Sequence, residues 1–150
     1  MFGKLESKEI DENSIVSECA YVGSQTHIYN DTLRNNLTLW NEAITDTHIK
    51  EVLERVNLLS FLNRIDEQVS DGSFSEGQKQ RIGLIRAFLK GCSVVIFDEA
   101  TANLDHNNAT RIEHLLLSDP NITYITVTHH LIKENEPYFD KIIRLGEGTE

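Results

Sequence analysis

Two short runs, twelve residues apart, constrain this chain more than anything else in it. Val94-Val95-Ile96-Phe97 is β-branched and apolar without alternation, and it ends in two adjacent carboxylates, Asp98 and Glu99. Such a run is expected of a strand covered on both faces of a parallel sheet. Before it, Phe74-Ser75-Glu76-Gly77-Gln78-Lys79-Gln80-Arg81 holds a capping box, in which the Ser75 hydroxyl accepts from the backbone at Gln78 and the glutamine reaches back to the Ser75 amide. A helix is predicted from there to about Lys90, with Ile82, Ile85, Ala87 and Leu89 inward and Gly91 as its C-terminal cap.

The rest of the chain is read around that pair. Residues 2–10 are mixed, with Phe2, Leu5 and Ile10 as apolar points, and read as a weak strand or hairpin remnant. Asp11-Glu12-Asn13-Ser14 supplies turn and cap residues, and Cys19-Ala20-Tyr21-Val22 is a buried strand ended by Gly23. Gln25 to Asn36 is loop-like, with a helical turn starting at Asp31-Thr32-Leu33-Arg34. Ile49, Val52, Leu53, Val56 and Leu59 share one helical face within a helix at 46–62, with Asp46 or Thr47 as N-cap. Residues 63–73 read as a loop. Asn107–Leu117 is a helix with Ile112, Leu115 and Leu116 inward, ended by Asp119-Pro120-Asn121; Ile122–Thr128 and Ile142–Leu145 are further buried strands. This alternation is α/β order.

At 150 residues and 39% hydrophobic the chain suits one domain with a core of its own. A net charge of -10 excludes a general electrostatic grip on nucleic-acid backbones. Cys19 and Cys92, far apart at element edges, fit a reducing compartment rather than a disulfide or metal cluster. The first ten residues, with Lys4, Glu6, Lys8 and Glu9, lack the apolar stretch of a signal peptide.

A carboxylate at the C-terminal end of a buried parallel strand stands where ligands bind in open α/β sheets, and one of a pair can hold magnesium while its neighbour orients a water. A capped helix start with a glycine offers backbone amides and a positive dipole end to an anion. Each feature alone describes an ordinary solvated strand end or a well-capped helix. The Lys79-Gln80-Arg81 continuation, the carboxylate pair, and Thr128-His129-His130 at the end of the next strand together point to nucleotide chemistry.

These segments resemble the motifs of the ATP-binding-cassette (ABC) ATPases. Phe74-Ser75-Glu76-Gly77-Gln78 is similar to the LSGGQ signature, and Val94–Glu99 to the Walker B strand with its glutamate. Ala100-Thr101-Ala102-Asn103-Leu104-Asp105 is similar to the D-loop, and Thr128-His129-His130-Leu131 to the switch-histidine segment. Order and spacing agree over most of the chain. The resemblance implies a partial P-loop NTPase fold, α/β with a mostly parallel sheet and a helical signature subdomain at about 30–90; residues 1–29 and 91–150 would form the remainder of the α/β core. It implies ATP and Mg2+ as ligands, with Asp98 on the metal, Glu99 as general base and His129 on the γ-phosphate. Ser75, Gly77 and Gln78 would face a nucleotide held by a second ABC ATPase domain in a head-to-tail dimer, and Asp105 would carry contact between the two sites. Ile28-Tyr29-Asn30-Asp31-Thr32-Leu33-Arg34-Asn35-Asn36 resembles the segment after the Q-loop of exporters, where the ATPase couples to transmembrane domains on the cytoplasmic side of the membrane.

The sequence also departs from the family. Glycines stand at 3, 23, 72, 77, 83, 91, 146 and 148, and none precedes Lys-Ser or Lys-Thr, so no P-loop cradle for phosphates is present. The N-terminal part of the usual domain, up to the P-loop helix, is expected to be missing, and the chain ends soon after Gly146-Glu147-Gly148. Ungapped, Ser24 falls where the Q-loop glutamine stands; a shift of one residue would bring in Gln25, whose implied role is at nucleotide and metal. Glu76 replaces the usual glycine. The expectation is therefore the motor-domain fragment of an ABC exporter, inactive alone. The alternatives are a non-catalytic module lending its signature helix to a partner ATPase, or a degenerate remnant. Removal of the P-loop strand should also leave a sheet edge unpaired and apolar surface exposed.

Overall fold

A computed structural model describes residues 11–101 and 103–145. The expected strand or hairpin remnant at 2–10 and the segment after Gly146 lie outside the described residues. Three parallel strands form the principal sheet in the order β1 (Cys19–Val22), β4 (Val94–Asp98), β5 (Thr123–Val127). Tyr21, Ile96 and Ile125 lie side by side across the three strands, and Val22 pairs with Phe97. A two-residue antiparallel pair, β2 (Asp31–Thr32) with β3 (Gln68–Val69), closes the polypeptide between β1 and β4.

Five helices accompany the strands: α1 (Glu12–Glu18), α2 (Leu33–Thr38), α3 (Asp46–Arg55), α4 (Glu76–Lys90) and α5 (His106–Leu117). The capping box at Ser75 starts α4, and Gly91, with a left-handed φ of 70°, ends it. Ile82, Ile85, Ala87 and Leu89 are buried, as their spacing predicts. They join Leu33, Leu37, Ile49, Val52 and Leu53 from α2 and α3, and Val95 and Phe97 from β4, in one core. Burying each such side chain contributes roughly 1.5–3 kcal/mol, which makes α4 the hub of the fold.

Several expectations are corrected. Asp11 does cap, but residues 12–18 are helical rather than a turn. The N-cap of α3 is Thr45, not Asp46 or Thr47, because the Thr45 side chain accepts from the His48 amide. That helix stops at Arg55, so Leu59 leaves the apolar face and is exposed in a 3-10 turn. The stretch 63–73 holds β3 and a short 3-10 turn rather than loop alone. Leu115 is only half-buried. Residues 142–145 form no strand, and Ile143 and Leu145 are exposed.

The sheet is covered on one face only. Ala20, Val22, Val95 and Phe97 are buried, whereas their alternates are not: Tyr21 is 67% exposed, Ile125 48% and Val127 59%. The strand expected to be buried at 122–128 is thus an edge, and β4 is sandwiched between strands rather than between layers. Thr123 donates to Ser93 O and Val127 O accepts from Glu99 N, so the alternating backbone groups of Tyr124 and Thr126 point away from β4 along an edge that no other described strand pairs with.

Behind β5 lies a buried polar cluster. Glu113 of α5 is 3% exposed, and it accepts from Asn135 Nδ2 at 2.9 Å and from the Tyr124 hydroxyl at 3.4 Å. Burial raises its pKa, outweighing these bonds, and burial raises that of Tyr124 as well. A carboxyl whose pKa is higher folded than unfolded contributes stability at low pH that is lost as pH rises through the folded pKa. Urea unfolding between pH 4 and pH 7 should therefore show this contribution falling away in the native protein, and Glu113→Gln should flatten that part of the pH dependence.

Candidate functional site

The C-terminal ends of β4 and β5 bring three of the expected residues together. Asp98 is the last residue of β4, and Glu99 follows with φ of 53°, a left-handed conformation unusual outside glycine. Its amide donates to Val127 O at 3.0 Å, which holds that conformation in place. The turn aims the Glu99 carboxylate across to His129, just beyond β5, where Oε1 lies 2.8 Å from the imidazole Nε2. His129 is exposed, and its neighbour Thr128 fixes the turn through a hydroxyl that accepts from His130 N at 3.0 Å. A carboxylate on a histidine at adjacent strand ends is a pair able to hold and move a proton.

Asp98 has a partner the sequence did not reveal. The Tyr21 hydroxyl donates to Asp98 Oδ2 at 2.7 Å, and that bond is the main cause holding the phenol pKa above its usual value. Parallel register explains it: Tyr21 pairs with Ile96, on the same uncovered face as Asp98. No cluster of three or more His, Cys, Asp or Glu side chains able to hold a metal occurs among the described residues. Magnesium at this position could take Asp98 as a protein ligand, with its other oxygens from water and phosphate.

The start of α4 is built as the capping box predicts. Gln78 N donates to Ser75 Oγ at 3.3 Å and Ser75 N donates to Gln78 Oε1 at 3.0 Å. That spends the Gln78 backbone amide and its side-chain oxygen on the cap itself, so the Glu76 and Gly77 amides, the Ser75 hydroxyl and the Gln78 side-chain Nε2 are the donors left for an anion. The basic continuation behaves differently from its expected part. Lys79 folds back onto Asp71 at 2.7 Å and Glu76 at 2.9 Å, and both bonds raise its pKa. It therefore offsets the extra carboxylate at Glu76 and offers no charge to a ligand.

Gly77 is required by close approach: a Cβ there would lie 2.7 Å from Asn103 O. The 103–105 loop thus rests directly on the first turn of α4, and Asp105 leaves it as the N-cap of α5, accepting from Asn108 N at 3.0 Å. Gln25 is exposed and lines a cavity of about 490 Å³ between β1, α2 and α4, whereas the neighbouring Ser24 carbonyl accepts from Gln80 of α4. The structure thus joins Asp98, Glu99 and His129 at one place and Ser75, Gly77 and Gln78 at another.

Beyond Gln25 the segment at 28–36 is held by Asn36, which is fully buried. Its side chain accepts from Tyr29 N at 2.8 Å and donates to Tyr29 O and Thr32 O, both at 3.0 Å. Arg86 of α4 donates to Asn36 O at 2.7 Å and His27 O at 2.9 Å. Tyr29 and Trp40 meet edge to face on the surface above. Neither Asn36 nor Arg86 stands out in sequence, since each looks like an ordinary polar residue until the loop folds over it.

A family model described as "ABC transporter" matches residues 3–102. The ATP-dependent lipid A-core flippase of Desulfotalea psychrophila is 30% identical over 83% of this chain and 23% of its own length. A probable ABC transporter ATP-binding/permease protein of Haemophilus influenzae is 32% identical over 93% of this chain and 26% of its own. The chain thus spans about a quarter of the length of these curated relatives. In structure it is similar to a bacterial Atm1-family ABC exporter with ATP bound, with a TM-score of 0.71 and 22% identity over 79% of this chain and 22% of that one. At that identity the likeness speaks for the fold.

The packing at α4 fixes the outcome of two substitutions. Gly77→Ala must push the 103–105 loop off α4, because the Asn103 carbonyl oxygen lies 2.7 Å from where the new Cβ would stand, and should cost about 1–3 kcal/mol, whereas Ser75→Ala removes only a cap and should cost about 1 kcal/mol. Equilibrium urea unfolding of the two variants checks the order.

Proposed function

Because the chain belongs to the ABC transporter family, as an exporter-like ATP-binding domain, we propose that it is the signature-bearing and base-bearing portion of the ATPase motor of an exporter. The observation that carries this reading is the Glu99–His129 pair at 2.8 Å beside Asp98, built by a left-handed turn at a parallel strand end. In this reading Glu99 would be the general base for the attacking water, His129 would hold Glu99 and meet the γ-phosphate, and Asp98, now bonded by Tyr21, would be the magnesium ligand. Gln25, exposed in the loop after β1, is assigned to the metal and the nucleotide by the same resemblance.

The residues present fit MgATP in part. They offer an oxygen ligand, a base and a histidine, and a separate helix start, but the sequence contains no Gly-Lys-Ser or Gly-Lys-Thr to cradle phosphates. The cradle must come from polypeptide outside these 150 residues, and the unpaired edge of β5, beside the uncovered stripe of Tyr21, Ile96 and Ile125, is the place for its strand and helix. Ser75, Gly77 and Gln78 face the nucleotide of a second ABC ATPase domain in a head-to-tail dimer, and Asp105 lies between the two sites. The exposed Tyr29, Leu39 and Trp40, anchored through Asn36 and Arg86, form the contact with transmembrane domains at the cytoplasmic face of the membrane. No described helix is long and apolar enough to cross a membrane.

The purified chain should neither hydrolyse ATP nor bind MgATP tightly. It should associate in an ATP-dependent manner with a complete ABC ATP-binding domain that carries a P-loop, and Ser75→Arg should abolish that association by filling the anion site. Calorimetry and light scattering decide it. Tight MgATP binding by the chain alone, or no association with the intact domain, would overturn the reading.

A further inference from the structure

One buried polar side chain has no part in the chemistry above. Gln80 is 2% exposed in the middle of α4, and both ends of its amide reach out of the helix. Its Nε2 donates to Ser24 O at 3.5 Å, in the loop after β1, and its Oε1 accepts from Asn103 N at 3.3 Å, in the loop after β4. The contacts extend to either side along the same helical stripe. Three residues earlier, a Cβ on Gly77 would meet Asn103 O at 2.7 Å; three residues later, one on Gly83 would meet Thr26 Oγ1 at 2.7 Å and Val22 Cγ1 at 3.3 Å. Two glycines thus let two loops press onto the helix, and the glutamine between them is bonded to both.

We propose that Gln80 is a positioning residue, a two-ended strut that sets the loop at 24–26 and the loop at 103–105 in fixed relation to the signature turn of α4. The physical argument is one of satisfaction and stiffness. A buried carboxamide is costly unless bonded at both ends, and a planar amide held at both ends transmits displacement rather than absorbing it. The Asn103 peptide is gripped twice, its N–H by Gln80 and its C=O against the Cα of Gly77. A shift of the first turn of α4 therefore moves Asn103 and Ser24 together. The functional meaning rests on the reading above: Ser75 answers to a partner's nucleotide, while the 103–105 loop follows β4, whose end carries Asp98 and Glu99, and the 24–26 loop follows β1, whose Tyr21 bonds Asp98, so Gln80 joins the two sites through one side chain.

The strut predicts an asymmetric response that a space-filling residue does not give. Gln80→Glu keeps an acceptor for Asn103 N but has no donor for Ser24 O; Gln80→Met keeps the volume and has neither. By NMR of the whole chain at neutral pH, Gln80→Glu should shift the Ser24 carbonyl 13C resonance while the Asn103 amide stays protected from exchange. Gln80→Met should shift Ser24 and also accelerate Asn103 exchange by roughly tenfold, the scale of one lost hydrogen bond. If the two variants perturb both loops alike, or leave both at their native values, Gln80 is a filler and the strut is refuted. These readouts need no nucleotide, so they stand apart from the association experiment. If the wild-type chain associates with an intact ABC ATP-binding domain, Gln80→Met should weaken that association about tenfold while leaving the Ser75 cap intact; unchanged association would refute the coupling role.

Discussion

The structure depends on β4 being hydrogen-bonded on both sides. Its parallel ladders to β1 and β5 fix Val95 and Phe97 under the helices, and they fix where the strand stops. Because Glu99 donates to Val127 O, the pairing continues one residue past the last regular strand position and forces the left-handed turn. The Glu99–His129 pair is thus a product of strand register: move β5 by one residue and Glu99 loses both its backbone anchor and its histidine.

Electrostatics follow from that geometry. At the ends where phosphates would approach, the carboxylates of Asp98, Glu99 and Glu76 are each answered by a neighbouring side chain. Lys79 is committed to Asp71 and Glu76, His129 to Glu99, and the Tyr21 hydroxyl to Asp98. Each of these bonds is one that a bound cation or phosphate could replace, so the same side chains that quiet the carboxylates mark where a ligand would enter. Beside them the uncovered sheet face exposes Ile125 and Val127 on β5, the edge strand among the described residues.

Local signals were the legible ones. The Ser75 capping box, the Gly91 C-cap and the buried face of α4 could be read because each depends on residues within one or two turns. The strand β4 was legible from its β-branched run, but its environment was not: an apolar run looks alike whether helices cover both faces or one. The same ambiguity made Ile122–Thr128 look buried, and made Ile142–Leu145 look like a strand although no partner pairs with it. Leu59 was misplaced because periodicity does not announce where a helix ends.

The sequence by itself determined which residue types stand at strand ends and helix starts: Asp98, Glu99, His129, Ser75 and Gly77, in an order that belongs to one family of ATPases. It also determined that no Gly-Lys-Ser or Gly-Lys-Thr stands in these 150 residues, since that motif is contiguous. Tertiary structure alone decided what those residues touch. Glu99 meets His129, Tyr21 meets Asp98, and Gln80 spans Ser24 and Asn103 across 56 and 23 residues of chain. Such contacts are set by register and by the close approach of loops to glycines on α4, and a one-dimensional pattern carries no record of either.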